Sequence, residues 1–315
     1  MQFIPPSTLL LAAFATSGAL RAAPDPVSDD TTPELRFSMD SQYTVSGAGQ
    51  MKQRAHRVGS LSSQESSLTI SGRLPLGAAD EIGLGASLEE IRLDHSFAGV
   101  PAGSRGPFPE QLRRTALDLS WQHRFDTRWS SILSASPGLN WADAKCERGA
   151  FGVRGLAGAR FQQNSNLQWL FGVVYDSQSD DYTVLPVAGL EWKMSDQWTV
   201  ALGFPRTALT FAVSPDFSLS LEAEGRTGNY DLANDPWRDS SGNPDHLLDD
   251  SNFEYSEARV GLKATYRFSP RCALNAAVGS VVYREGEYHK EGLKVPKFKS
   301  DGLAAYGSLG LTVSF

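Results

Sequence analysis

The chain of 315 residues is 41% hydrophobic and 21% charged, with two cysteines. Two cysteines cannot form a disulfide scaffold, and no run of eighteen apolar residues is present to make a membrane-spanning helix. Twenty-nine basic against 36 acidic residues give a net charge of -7, which excludes a protein that tracks nucleic-acid phosphates.

The chain opens on an apolar stretch from Leu9 to Leu20, followed by Ala22, Ala23 and a polar, proline-rich segment from Pro24 to Pro33. Residues 1–22 read as a secretory signal peptide cleaved after Ala22, and residues 23–33 as a linker. Residues 34–315 form one domain.

From Leu35 the pattern has period two: Leu35, Phe37, Met39, Tyr43 and Val45 alternate with Arg36, Ser38, Asp40, Gln42 and Thr44. It returns at Leu117, Leu119, Trp121 and Phe125, through Phe151 to Phe161, at Leu167 to Tyr175, and from Ala258 to Phe268. Such strands exceed the five or so residues usual in a sandwich and match the ~9–11 of a tilted membrane strand. Short turns (77–80, 126–128, 162–166, 193–197, 269–271) alternate with longer polar connections (47–65, 94–111, 142–149, 228–252, 285–299), as in barrels with periplasmic turns and outer loops. Phe125, Trp129, Trp192, Trp198 and Phe268 bracket the short turns as an aromatic girdle, and Trp141, Tyr175, Tyr182, Phe204, Tyr255 and Tyr283 stand at the other strand ends as a second one.

Up-and-down order is kept only if the chain makes a hairpin at Pro205 to Thr207. The strands are then 34–46, 66–76, 81–93, 112–125, 129–141, 150–162, 166–176, 182–193, 197–205, 207–213, 217–227, 253–268, 271–284 and 302–315. The expectation is an all-β, single up-and-down antiparallel transmembrane barrel of about 14 strands, with 12 as the alternative.

The last strand alternates Leu309, Leu311, Val313 and Phe315 with Ser308, Gly310, Thr312 and Ser314. It resembles the C-terminal signature of bacterial outer-membrane barrels, which implies that Phe315 is part of the signal read by the barrel assembly machinery. The stretch Val184 to Trp192, then Trp198 to Pro205 and Leu209 to Phe211, resembles a family of porin-like Gram-negative outer-membrane barrels of unknown function. That resemblance implies the fold and brings no catalytic residues.

On this strand reading the inward, pore-lining set is Arg36, Asp40, Arg73, Glu89, Asp118, Arg124, Arg154, Arg160, Glu191, Glu222, Glu224, Glu257, Arg259, Lys263 and Arg267. Positive and negative charges nearly cancel, so no ring of one sign argues for ion selectivity. A network of paired charges filling the lumen is an equal reading. Among the five histidines, His123 falls on the outward parity and His56, His95, His246 and His289 fall in outer loops. Asp94-His95 and Asp245-His246 could make a loop-borne acid/base pair, although adjacency in sequence does not orient an imidazole on a carboxylate. The acidic segment holding Asp231, Asp235, Asp239, Asp245, Asp249 and Asp250 departs from EF-hand spacing and reads first as a hydrated loop. No cofactor or metal is expected. Cys146 and Cys272 belong to opposite ends of the barrel, roughly 25 Å apart, beyond disulfide reach.

Passive passage of small hydrophilic solutes across the outer membrane is the leading expectation. A closed structural or surface-interaction barrel is the alternative, and an outer-membrane hydrolase with loop-borne Asp/His the third. The expected partners are outer-membrane lipids, lipopolysaccharide and the assembly machinery, and no nucleic acid.

Overall fold

The computed structural model describes residues 35–97, 108–143, 145–179, 183–203, 206–236, 243, 246–295 and 297–315. The signal peptide and linker lie outside these residues. The strands are β1 (Arg36–Gln53), β2 (His56–Leu76), β3 (Asp80–Phe97), β4 (Gln111–Arg124), β5 (Trp129–Ala142), β6 (Phe151–Asn164), β7 (Leu167–Asp176), β8 (Val184–Lys193), β9 (Trp198–Gly203), β10 (Thr207–Ala212), β11 (Phe217–Leu232), β12 (Ser251–Ser269), β13 (Cys272–Lys290), β14 (Leu293–Lys294), β15 (Phe298–Ser300) and β16 (Ala304–Ser314).

Each wall strand from β1 to β13 pairs antiparallel with the next, and β16 pairs with both β13 and β1. The ring therefore closes on fourteen strands, and closure removes the unpaired edges that an open sheet would present. The expected hairpin between β9 and β10 exists, with Ala208 opposite Ala201 and Phe211 opposite Trp198.

The alternation sorts the two faces. Leu84, Leu88, Leu117, Leu119, Leu221, Leu262, Val278 and Leu309 are exposed on the outer parity, while their strand neighbours point inward. The wall carries a continuous outer face of large apolar side chains. Short turns gather at one end, together with Phe315, whose amide donates to Phe37 O at 2.9 Å. Asp126 caps one of these turns, accepting from the amides of Arg128 at 2.6 Å and Trp129 at 2.7 Å.

Strand lengths correct the expected loops. Residues 47–65 are not a loop: β1 and β2 continue to a tight turn at Arg54, whose φ is 56°. Most of 285–299 likewise belongs to β13, β14 and β15. The reason is compositional, since Ser46, Gly47, Ser60, Ser62 and Ser63 keep strand geometry without an apolar contrast to advertise it. As a result β1–β3 and β11–β13 run 16 to 21 residues, whereas β7–β10 run only 6 to 10. The barrel has a tall side and a short side.

Candidate functional site: the occluded lumen

At the loop end, the tall strands bury apolar side chains inward. Met51, Leu61, Ile91, Leu93, Leu112, Tyr230, Leu232, Phe253, Tyr255, Tyr288 and Phe298 form one cluster, joined by Phe108 and Leu248 from the connections. Phe108 packs against Phe253 and Phe298 at ring distances of 5.4 and 5.3 Å. It lies over Gly286, where an added Cβ would collide with the ring, so glycine is what admits the plug there. The end of β11 also leans across the mouth: Asp231 pairs in parallel with Trp141 of β5, although the two strands are not neighbours in the ring.

A layer of charge lies next to this seal. Glu65 on β2 takes Arg226 of β11 and Arg259 of β12, both at 2.7 Å. Glu257 takes Arg259 at 2.5 Å and Arg284 at 2.7 Å, and accepts from Tyr255 Oη at 2.7 Å. Arg284 is 1% exposed and also donates to Leu61 O at 2.8 Å and Ser46 Oγ at 2.6 Å. Arg226 reaches on to Glu89 of β3 at 3.3 Å, tying together strands from well-separated parts of the wall. Every buried charge in this layer has an opposite partner, the condition under which burial is tolerable.

The short side fills its interior differently. Ile132, Leu156, Leu170, Val174 and Val187 make a small apolar cluster on the inner parity of β5–β8, each at most 8% exposed. Arg160 is buried beside it. Between the two sides remains a cavity of about 120 Å³, lined among others by Ser87, Glu89, Arg114, Asp118, Glu224 and Tyr230. Toward the short turns the inner parity becomes wet: Arg36, Arg124, Glu191 and Arg267 are exposed.

The expected inward residues are placed as follows. Asp40 accepts from Thr312 at 2.6 Å, Arg73 sits 3.6 Å from Glu81, and Asp118 accepts from Ser136 at 2.6 Å. Arg154 pairs with Asp176 at 3.1 Å, and Lys263 and Arg206 both approach Glu222. Glu224 borders the cavity and is exposed to it. Sequence reasoning omitted Glu65, Arg114, Arg226 and Arg284. Arg114 and Arg226 share the inner parity of Asp118 and Glu222 and were legible by that rule. Glu65 falls in the expected 47–65 loop, which is strand β2 in the structure, and Arg284 faces inward only because a bulge shifts the β12–β13 register between Ala258 and Arg259.

Phe125, Trp129, Trp192, Trp198 and Phe268 stand exposed on the outer face at the short-turn end. The second set is not a girdle as a whole: Tyr175 is exposed, but Tyr255 is 1% exposed inside the seal, because its parity on β12 matches Glu257. Tyr182 and Phe204 lie outside the described residues.

The expected Asp94–His95 pair does not assemble. Asp94 and His95 are consecutive on strand β3 rather than in a loop, so they point to opposite faces, and His95 Nε2 sits 3.1 Å from Phe108 O. His56 and His289 also belong to strands, at the outer ends of β2 and β13. His246 Nδ1 meets Asp249 at 2.7 Å in an exposed turn, and Asp245 lies outside the described residues. His123 Nδ1 meets Asp80 at 2.9 Å on the outer face, where Trp121 Nε1 donates to the same oxygen. Asp235 and Asp249 are occupied in turn hydrogen bonds, Asp235 accepting from Leu248 N and Asp249 from Asp235 N. Among the described residues no cluster of three or more His, Cys, Asp or Glu is placed to hold a metal. Cys146 and Cys272 are free thiols.

Comparison with solved structures finds similarity to barrels. An outer membrane channel of Pseudomonas putida F1 is 14% identical, over 93% of this chain and 100% of that one, with a TM-score of 0.48. The toluene transporter TodX of Pseudomonas putida is 10% identical over 89% of each chain, with a TM-score of 0.39. The KdgM porin, solved with disordered oligogalacturonate, is 10% identical over 88% of this chain and 99% of that one, with a TM-score of 0.36. No curated protein sequence matches. Across residues 102–313, from the β3–β4 connection to the closing strand, the sequence matches the family described as a domain of unknown function, DUF6268, and the chain belongs to that family.

Proposed function

We propose that the protein is an outer-membrane channel held shut at its loop end, which passes small hydrophilic solutes when the seal parts. Membrane placement is supported by the outer face. A closed ring satisfies its backbone hydrogen bonds without water, and the exposed leucines, valines and phenylalanines are the side chains that hydrocarbon accepts. In this reading the short turns and the Phe125–Phe268 girdle face the periplasm, the long connections meet lipopolysaccharide, and Phe315 serves assembly. The signal peptide of residues 1–22 supplies the export route.

The observation that carries the channel reading is the cavity of about 120 Å³ kept between two packed interiors, with charged side chains turned into it and exposed charges leading toward the short turns. The test is single-channel recording of the refolded mature chain in planar bilayers, beside Phe253→Ala, which opens the seal at its centre. Wild type should stay closed with brief steps, and the variant should spend far longer open. A second reading, a structural or surface-interaction barrel, is favoured by the burial of inner-face residues on both sides. It wins if both proteins migrate as folded barrels on unheated gels and neither conducts.

A further inference from the structure

We propose that the internal cavity is a binding site for a small monocarboxylate, with Arg114 as its anchor. The walls of this cavity are a ledger of hydrogen bonds that is nearly closed. Arg154 is bound to Asp176, Asp118 to Ser136, and Glu89 and Glu65 to Arg226. Arg114 stands apart: it lines the cavity from the inner parity of β4 and makes no hydrogen bond or ion pair among the described residues. Three further groups around it are unsatisfied. Ser87 Oγ and the Nε and Nη2 atoms of Arg226 are buried without hydrogen-bond partners, and the hydroxyl of buried Tyr230 makes no hydrogen bond among the described residues. Glu89 links them, lying directly across from Arg114 in the β3–β4 ladder, two residues from Ser87 and in contact with Arg226. Buried donors left open are costly, and a ligand that accepts from them recovers that cost.

The donors select the ligand. A guanidinium fork matches a planar carboxylate in two parallel hydrogen bonds, and hydroxyls from Ser87 and Tyr230 are suited to the remaining lone pairs. Single charge is favoured over a dianion because Glu89, Asp118 and Glu224 line the same space. The volume of about 120 Å³ holds a molecule of roughly eight heavy atoms or fewer. The rings of Tyr230 and Tyr255 border it and accept a short apolar tail. Entry is from the short-turn end, since the apolar seal closes the other.

This site deepens the channel reading and is tested apart from it. Isothermal titration of the refolded full chain in detergent with butyrate should give saturable binding, with none for neutral butyramide or cationic butylammonium. Arg114→Gln should weaken butyrate binding at least tenfold and Arg114→Lys less, while Arg271→Gln at a short turn should leave it unchanged, each protein first verified as folded by gel migration. Equal affinity in wild type and Arg114→Gln, no saturable butyrate binding, or preference for the cation overturns the proposal. Binding without conductance in bilayers keeps the site and removes the channel; conductance without binding does the reverse.

Discussion

The two sides of this barrel use the same alternating strand for different ends. On the tall side, β1–β3 and β11–β13 run well past the ~9–11 residues that a bilayer needs, and the excess buries inner-parity residues such as Met51, Leu61, Phe253 and Tyr255 in an ordinary protein core completed by Phe108 and Phe298. On the short side, β7 and β8 end almost as soon as a span is complete and β9 and β10 are shorter still, and five aliphatic residues on β5–β8 close the inner face. The lesson is that a barrel can be membrane-like outside and soluble-protein-like inside within one strand. Length beyond the span decides where the second regime begins.

The largest expected effect separates the sides through charge. Arg284→Ala removes one of the two arginines on buried Glu257 and the donor to Leu61 O and Ser46 Oγ, and should cost about 3–5 kcal/mol in denaturant unfolding. If the loss is small, the tall side is not held by this network and its distinction from the short side fails. Next comes the outer face. Leu119→Arg near the middle of β4 should cost about 2–4 kcal/mol in a bilayer, and Phe125→Arg at the turn end about 0–1 kcal/mol. Equal costs would mean that no hydrocarbon layer surrounds the barrel.

A smaller effect marks the seam where the two sides meet. Pro137 on β5 faces Leu117 across a gap in the β4–β5 ladder, which is paired up to Ala116–Gly138 and resumes at Leu119–Ala135. Proline has no amide to donate, so Pro137→Ala should add one cross-strand bond worth about 1 kcal/mol and a protected amide at 137 in hydrogen exchange. Rapid exchange there would show the gap to be set by the strands' divergence instead. The smallest effect lies at a turn that neither side owns. The backbone amides of Arg128 and Trp129 hold the Asp126 carboxyl below the usual carboxylate range. A depressed carboxylate stabilises the fold above its unfolded-state pKa, and this is lost as pH falls through the folded value. Asp126→Asn should therefore be less stable than wild type at neutral pH, and the two should converge as pH falls below the ordinary carboxylate range. A constant gap would assign the effect to geometry rather than charge.

How much was legible follows the physics of each feature. Strands such as Leu117 to Phe125 were plain because apolar and polar residues alternate where one face meets an apolar exterior. The β9–β10 hairpin follows from the need to keep strand direction consistent, and β9 pairs with β10 as expected. The extension of β1 and β2 to Arg54 was hidden, because serines and glycines on both faces erase the contrast. Tyr255 was read by its position at a strand end, whereas its parity places it with Glu257. Arg114 obeys the same parity rule that marks Asp118 as inward.

By itself the sequence determined the barrel and its apolar outer face and favoured fourteen strands over twelve, since these depend on local alternation and on the requirement that up follows down. Only the tertiary structure decided that the lumen is occluded. A one-residue bulge at Val282 of β13, opposite the Ala258–Arg259 step, turns Arg284 inward, β11 leans over to Trp141, and Phe108 finds its space above Gly286. Each of these joins residues far apart in the chain through register and packing, which period two along a single strand does not encode.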